Sequence, residues 1–263
     1  MRRESGTLER ESERLYFEDI GEGPALVLTH GAGGNHAVWF QQVPRFARSR
    51  RVVLWDQRGF GRSSARGGPN TPARASADLA ALLDHLGIER ADLVGQSMGG
   101  WAVLGLALAQ PARVRSLVLA DTPGGIDTPE LREAWSRVGG FVVPELGRHP
   151  AVAADFFERH PERAVLYQQL GGFGDPKLAD VLPSLVSTRH GAAELASLRC
   201  PTLLLVGEAD SLFPPAVIAA SARQLPAACR ARVVSIPRAG HSPYFEEPEA
   251  WNSALDDFLS ALP

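Results

Sequence analysis

The chain has 263 residues, 44% of them hydrophobic and 22% charged, and a formal net charge of −3. That balance is ordinary for a globular protein and excludes a largely disordered chain. The slight acidity offers no basic surplus to neutralise phosphates, so nucleic-acid binding has no electrostatic support.

The first residues, MRRESGTLERESERL, are charged and lack an apolar core. They are read as a flexible arm over residues 1–14 and not as a secretory signal. Leu15 to Ile20 reads as a strand, and Ala25 to Thr29 as a short strand buried on both faces. Next comes the Gly-rich HGAGGNH, then a strand over Arg51 to Trp55 and the turn-rich DQRGFGRSS. Leu79, Leu82, Leu83 and Leu86 recur at helical spacing, with Gly87 placed to end the helix. Ala91 to Gly95 is a strand, Met98 to Ala109 a helix stopped by Pro111, and Arg115 to Ala120 a strand. The longest apolar stretch, Trp101 to Ala109, is far short of the roughly 18 residues a membrane span needs.

Alternation then stops. Residues 122–198 carry helical patches and no clear strand. It resumes with a strand at Thr202–Val206, a helix at Pro214–Leu225, a strand at Arg232–Ile236 and a helix at Pro248–Leu262. This order predicts an α/β fold, a mostly parallel doubly wound sheet, with core residues 15–121 and 199–263 and an inserted helical cap over 122–198. Cys200 and Cys229 are too few for a disulfide framework. They are expected as buried free thiols, with a single bridge as the alternative, in a cytoplasmic protein.

Gly95-Gln96-Ser97-Met98-Gly99 fits G-x-S-x-G, with an apolar strand running in and an apolar helix running out. A turn this sharp strains its central residue and exposes Ser97 at the carboxyl end of the sheet, where open α/β sheets place ligands. The Met98 N–H, at a helix start, is placed to donate to an oxyanion. HGAGGN lacks the Lys and Ser/Thr of a phosphate loop, so nucleotide binding is not expected.

Taken together, GQSMGG, HGAGG, DQRGFGRS and GHSPYFEEP resemble the α/β-hydrolase fold superfamily, from about Tyr16 to Leu262. The resemblance implies that His241 is the general base for Ser97, a weak nucleophile without one. It implies Asp210 as the carboxylate that orients His241, with Glu208 and Asp121 as the other candidates. The order Ser97, Asp210, His241 is that of the superfamily. It implies the Ala32 N–H as second oxyanion donor, with Gly33 the alternative, and His30 as a loop support. Glu246 and Glu247 are read as caps of the last helix. Gly33, Gln96, Trp135 and Phe141 are the expected substrate contacts. Arg132, Arg137, Arg148, Arg159, Arg163 and Arg189 are each either solvated or a binder of a substrate carboxylate.

The expected function is a serine hydrolase acting on a small to medium, partly apolar ester, lactone or thioester through an acyl-enzyme. No metal or organic cofactor is implied, and the partner is a small-molecule substrate, with no membrane, for a monomer or homodimer. The alternatives are hydrolysis of a C–C bond in a ring-cleavage product, a lyase or perhydrolase, and a ligand receptor that keeps the triad.

Overall fold

Eight strands pair into one sheet in this computed structural model, which describes residues 2–140, 151–171 and 178–262. They are β1 (Arg3–Arg10), β2 (Glu13–Ile20), β3 (Ala25–Thr29), β4 (Arg51–Trp55), β5 (Ala91–Gln96), β6 (Val114–Ala120), β7 (Thr202–Gly207) and β8 (Arg232–Ile236). Their spatial order is β1-β2-β4-β3-β5-β6-β7-β8. β1 and β4 each pair with β2 antiparallel, and every later pairing is parallel. The longer helices are α1 (Pro72–His85), α2 (Gly99–Ala109), α3 (Pro129–Arg137), α4 (Pro161–Gly171), α5 (Leu178–Ser187), α6 (Pro215–Gln224) and α7 (Pro248–Ser260).

Alternation along the strands separates two apolar layers. Val27, Val53 and Leu93 face Leu79 and Leu83 of α1 and Val103 of α2. Their neighbours Leu28, Leu54 and Val94 face Trp39, Trp251 and Leu255 on the other side. The inner parallel strands β3, β5 and β7 are therefore covered on both faces, which is why they read as nearly continuous apolar runs. β8, at the edge, is largely exposed. After β4 the chain crosses β3 to build β5, so the carboxyl ends of β3 and β5 border the crevice where the winding reverses. HGAGG leaves β3 there, and Ser97 leaves β5.

The N-terminal arm is a correction. Arg3–Arg10 is a strand, paired residue for residue with Ile20 back to Glu13. Glu11 and Ser12 turn the hairpin with φ of 49° and 68°. β1 is largely exposed, so no apolar rhythm marks it. Backbone pairing and ion pairs hold it, among them Arg10 to buried Asp78 at 2.9 Å.

Between β6 and β7, the regular elements among the described residues are helices, besides one isolated bridge from Ile126 to His190. Thr128 caps α3 by accepting from the Leu131 N–H at 3.2 Å. Cys200 and Cys229 are both buried and free.

Candidate active site

The turn after β5 places Ser97 in the left-handed region at φ 49°. For a non-glycine residue that costs on the order of 1–2 kcal/mol. The strain is held by packing. The Ser97 N–H donates to Ala120 O at 2.9 Å, and its carbonyl accepts from the Gly100 N–H at 2.9 Å. The flanking glycines are required by close approach: a Cβ on Gly95 would lie 2.5 Å from Gly99 O, and one on Gly99 would lie 2.4 Å from Thr29 O.

His241 lies on the loop between β8 and α7, and Asp210 just past β7. His241 Nε2 is 2.8 Å from Ser97 Oγ, and His241 Nδ1 is 2.9 Å from Asp210 Oδ2. The other Asp210 oxygen accepts from the Leu212 and Phe213 N–H groups at 2.8 and 3.0 Å. With the Asp210 carboxylate accepting, the His241 Nδ1 carries the hydrogen. Nε2 then presents its lone pair to the serine hydroxyl, a geometry from which a proton can be taken off a serine. Phe213 lies against the His241 ring with centroids 5.5 Å apart.

The loop after β3 sits beside Ser97: a Cβ on Gly31 would be 3.0 Å from Ser97 Cβ. Ala32 follows directly, and Gly33 has φ 76° with open space where a side chain would stand. His30 supports the loop from behind. Its Nε2 accepts from the Gln57 N–H at 3.0 Å, so its Nδ1–H donates to Gly31 O at 2.7 Å. Burial pushes the His30 pKa down, which keeps this neutral tautomer. Met98 precedes α2, in the first turn where helix N–H groups lack intrahelical partners.

Two further carboxyls lie behind this chain of bonds. Asp121, at the end of β6, has φ 52°; one oxygen accepts from the Gly207 N–H at 2.9 Å and the other is buried without a hydrogen-bond partner among the described residues. Burial, with the Asp210 charge beside it, pushes the Asp121 carboxyl well above the usual carboxylate range. Two buried carboxyls this close do not both ionise, and the one with fewer donors keeps the proton. Asp121, Asp210 and His241 offer donor atoms within 4.8 Å of one another, a possible cation cluster. His241 and Asp210 already face each other in a hydrogen bond, so the group reads as a proton-holding cluster.

Glu246 is the second, and it corrects the expectation of a helix cap. It is fully buried. Oε1 accepts from the Gly240 and Ser242 N–H groups at 2.9 and 3.2 Å, and Oε2 from the Ala153 N–H at 2.7 Å. Glu247 stands at the start of α7 without a side-chain cap bond and instead pairs with Arg159 at 2.9 Å and Arg238 at 3.3 Å. Glu246 stands just before Pro248 in the sequence, where it reads as a helix cap, and its partner at Ala153 lies 93 residues away.

The expected substrate contacts divide. Gly33 borders the crevice, its carbonyl 3.4 Å from where a Gly171 Cβ would stand. Gln96 is buried, and its amide donates to His241 O at 2.8 Å, so its amide nitrogen is engaged with the protein rather than turned to a substrate. Trp135 packs on Phe213 at 5.8 Å and reaches His241 through that ring. Phe141 lies outside the described residues. Arg132 and Arg189 pair with Asp127, Arg137 with Glu133, and Arg159 with Asp155 and Glu247; Arg163 donates to Phe245 O, and Arg148 lies outside the described residues. Sequence reasoning did not single out Phe213 or the Tyr167 hydroxyl, which is 2.8 Å from Ser242 Oγ.

A family model described as alpha/beta hydrolase fold matches residues 24–179, and the chain belongs to that family. Among similar proteins, one from Caulobacter sp. (strain K31), provisionally named carbamate hydrolase RutD, is 31% identical over 98% of this chain and 98% of its own length. A pimeloyl-(acyl-carrier protein) methyl ester esterase of Aeromonas hydrophila subsp. hydrophila is 31% identical over 92% of this chain and 98% of its own. The solved structure of a thermophilic esterase from Thermogutta terrifontis, with malate bound, superposes with a TM-score of 0.82 at 30% identity, covering 98% of this chain and 99% of that one.

Proposed function

We propose that this protein is a serine hydrolase that cleaves a small to medium, partly apolar ester, lactone or thioester through an acyl-enzyme on Ser97. The observation that carries the reading is the continuous pair of bonds from Ser97 Oγ to His241 Nε2 at 2.8 Å and from His241 Nδ1 to Asp210 at 2.9 Å. Similarity to an esterase of known structure and to a methyl ester esterase supports acyl transfer to water.

Ser97 Oγ attacks the substrate carbonyl carbon while His241 Nε2 takes the hydroxyl proton. The charge that develops on the carbonyl oxygen is met by the N–H groups of Met98 and Ala32, which need no reorganisation to receive it. The C–O or C–S bond to the leaving group breaks as His241 returns the proton to it. Water then repeats the cycle: His241 takes its proton, the hydroxide attacks the acyl carbon, and Ser97 leaves reprotonated. Asp210 holds His241 in the required tautomer and stabilises the transient imidazolium. The segment 122–198 acts as a cap, and its helix α4 reaches the His241 loop at Ser242 and the loop beside Ser97 at Asn35.

The test is initial rates on p-nitrophenyl esters of increasing acyl length, with Ser97→Ala as control. Turnover that peaks at one chain length and falls at least about 10³-fold in the variant supports the reading. Folded wild type and variant that are equally inactive on every ester reject it.

A further inference from the structure

We propose that Glu246 is a positioning residue that joins the His241 loop and the inserted segment into one unit, so that base placement and cap seating depend on each other. The inference rests on the serine-hydrolase reading for its kinetic half only.

The two oxygens of Glu246 divide the work. Oε1 holds the peptide N–H groups on either side of His241, those of Gly240 and Ser242. Oε2 holds the Ala153 N–H, which lies in the insertion. Burial pushes the Glu246 carboxyl up while these three N–H donors pull it back down, and leaving the donors unpaired in so buried a place costs most. The two backbones are in close contact around it: a Cβ on Gly240 would be 2.4 Å from Ala153 N and 2.5 Å from Val152 C.

Independent contacts run the same way. Arg159 of the insertion donates to Arg238 O at 2.7 Å and pairs with Glu247, while Arg163 reaches Phe245 O at 3.4 Å. Tyr167 of α4 meets Ser242 Oγ at 2.8 Å and packs edge-on against Phe245. The far end of the same helix closes on the other side of the site: Asn35 Nδ2 donates to Leu170 O at 2.8 Å, and Asn35 Oδ1 accepts from the Ala37 N–H at 2.9 Å. One helix of the insertion thus bridges the His241 loop and the loop beside Ser97. Glu246 is the buried charge at which insertion and base meet.

The experiment compares Glu246→Gln and Glu246→Ala by amide hydrogen exchange and by kcat and KM on a p-nitrophenyl ester. In Glu246→Gln the remaining carbonyl keeps Gly240 and Ser242, and the new NH2 faces the Ala153 N–H, donor against donor. Exchange at Ala153 should rise about tenfold or more while Gly240 and Ser242 stay protected, and kcat/KM should fall mainly through KM. In Glu246→Ala all three amides should lose protection and kcat should fall about tenfold as well. If Glu246→Ala does not fold, the exchange pattern of Glu246→Gln decides alone. Equal exposure of all three amides in Glu246→Gln, or unchanged exchange at Ala153, overturns the proposal. An inactive wild type rejects the hydrolase reading instead and leaves the exchange test standing.

Discussion

Gln96 donates its side-chain amide to the carbonyl oxygen of His241 at 2.8 Å, so the residue before Ser97 holds the loop that carries the partner of Ser97. The bond lies across 145 residues of chain and is buried. Gln96→Leu leaves the His241 carbonyl buried and unpaired, which costs about 1–3 kcal/mol. Urea unfolding should show that loss, and kcat should fall about tenfold because His241 is no longer held at its bonding distance from Ser97. Gln96→Glu should be worse, since a carboxylate then faces a carbonyl. Wild-type stability and kcat in Gln96→Leu contradict this.

Two glycines of the chain differ in what surrounds them, Gly95 in the turn before Ser97 and Gly87 after the end of α1. Gly95→Ala puts a methyl 2.5 Å from Gly99 O and 2.6 Å from Val103 Cγ2, and neither the backbone nor the buried helix can give way. A loss of roughly 3 kcal/mol or more, or failure to fold, is expected. Gly87 has φ 63° but nothing within 4 Å of the added atom. Gly87→Ala should therefore cost only the backbone strain, about 1–2 kcal/mol. Denaturant midpoints of the two variants check the order.

Asp121 gives a pH dependence with a definite sign. Its pKa is raised by burial and by the nearby Asp210 charge above the 3.8 of the unfolded chain. The folded protein binds that proton more tightly, so its contribution is fully present below pH 3.8 and is lost as pH rises through the folded pKa. Asn does not titrate. The stability of Asp121→Asn relative to wild type should therefore improve as pH rises from about 4 and level off once Asp121 ionises in the folded protein. A difference that does not change with pH contradicts the assignment of the proton to Asp121.

Burial pushes the Cys200 thiol up to about 11 and raises that of Cys229 as well. Both are buried and unbridged. A disulfide-exchange reagent such as Ellman's should find no reactive thiol in the native protein and two in guanidinium without reductant. No thiol after denaturation indicates a bridge.

The sheet was legible in the sequence wherever burial on both faces wrote a continuous apolar run. Arg51–Trp55 has the expected bounds, and β5 and β6 differ from expectation by one residue. The exposed edge strand Arg232–Ile236 is marked by its β-branched Val233, Val234 and Ile236 instead. Ser97 was legible because Gly95 and Gly99 are needed at fixed distances from it. β1 was not, because a largely exposed edge strand is made by its pairing with β2, and its own residues carry no apolar phase. The Gln96 amide and the Glu246 carboxylate were also missed. Their partners, His241 O and the Ala153 N–H, lie 145 and 93 residues away, and nothing local distinguishes such a residue from a substrate contact or a helix cap.

The most direct measurement is intact and peptide mass spectrometry of protein quenched during turnover of a slow p-nitrophenyl ester. If Ser97 is the nucleophile, one acyl group adds to the mass, maps to the peptide bearing Ser97, accumulates at the rate of the nitrophenol burst and is absent from Ser97→Ala. A Ser97→Ala protein that still turns over at the wild-type rate, or an adduct that maps to another residue and is required for turnover, contradicts the assignment.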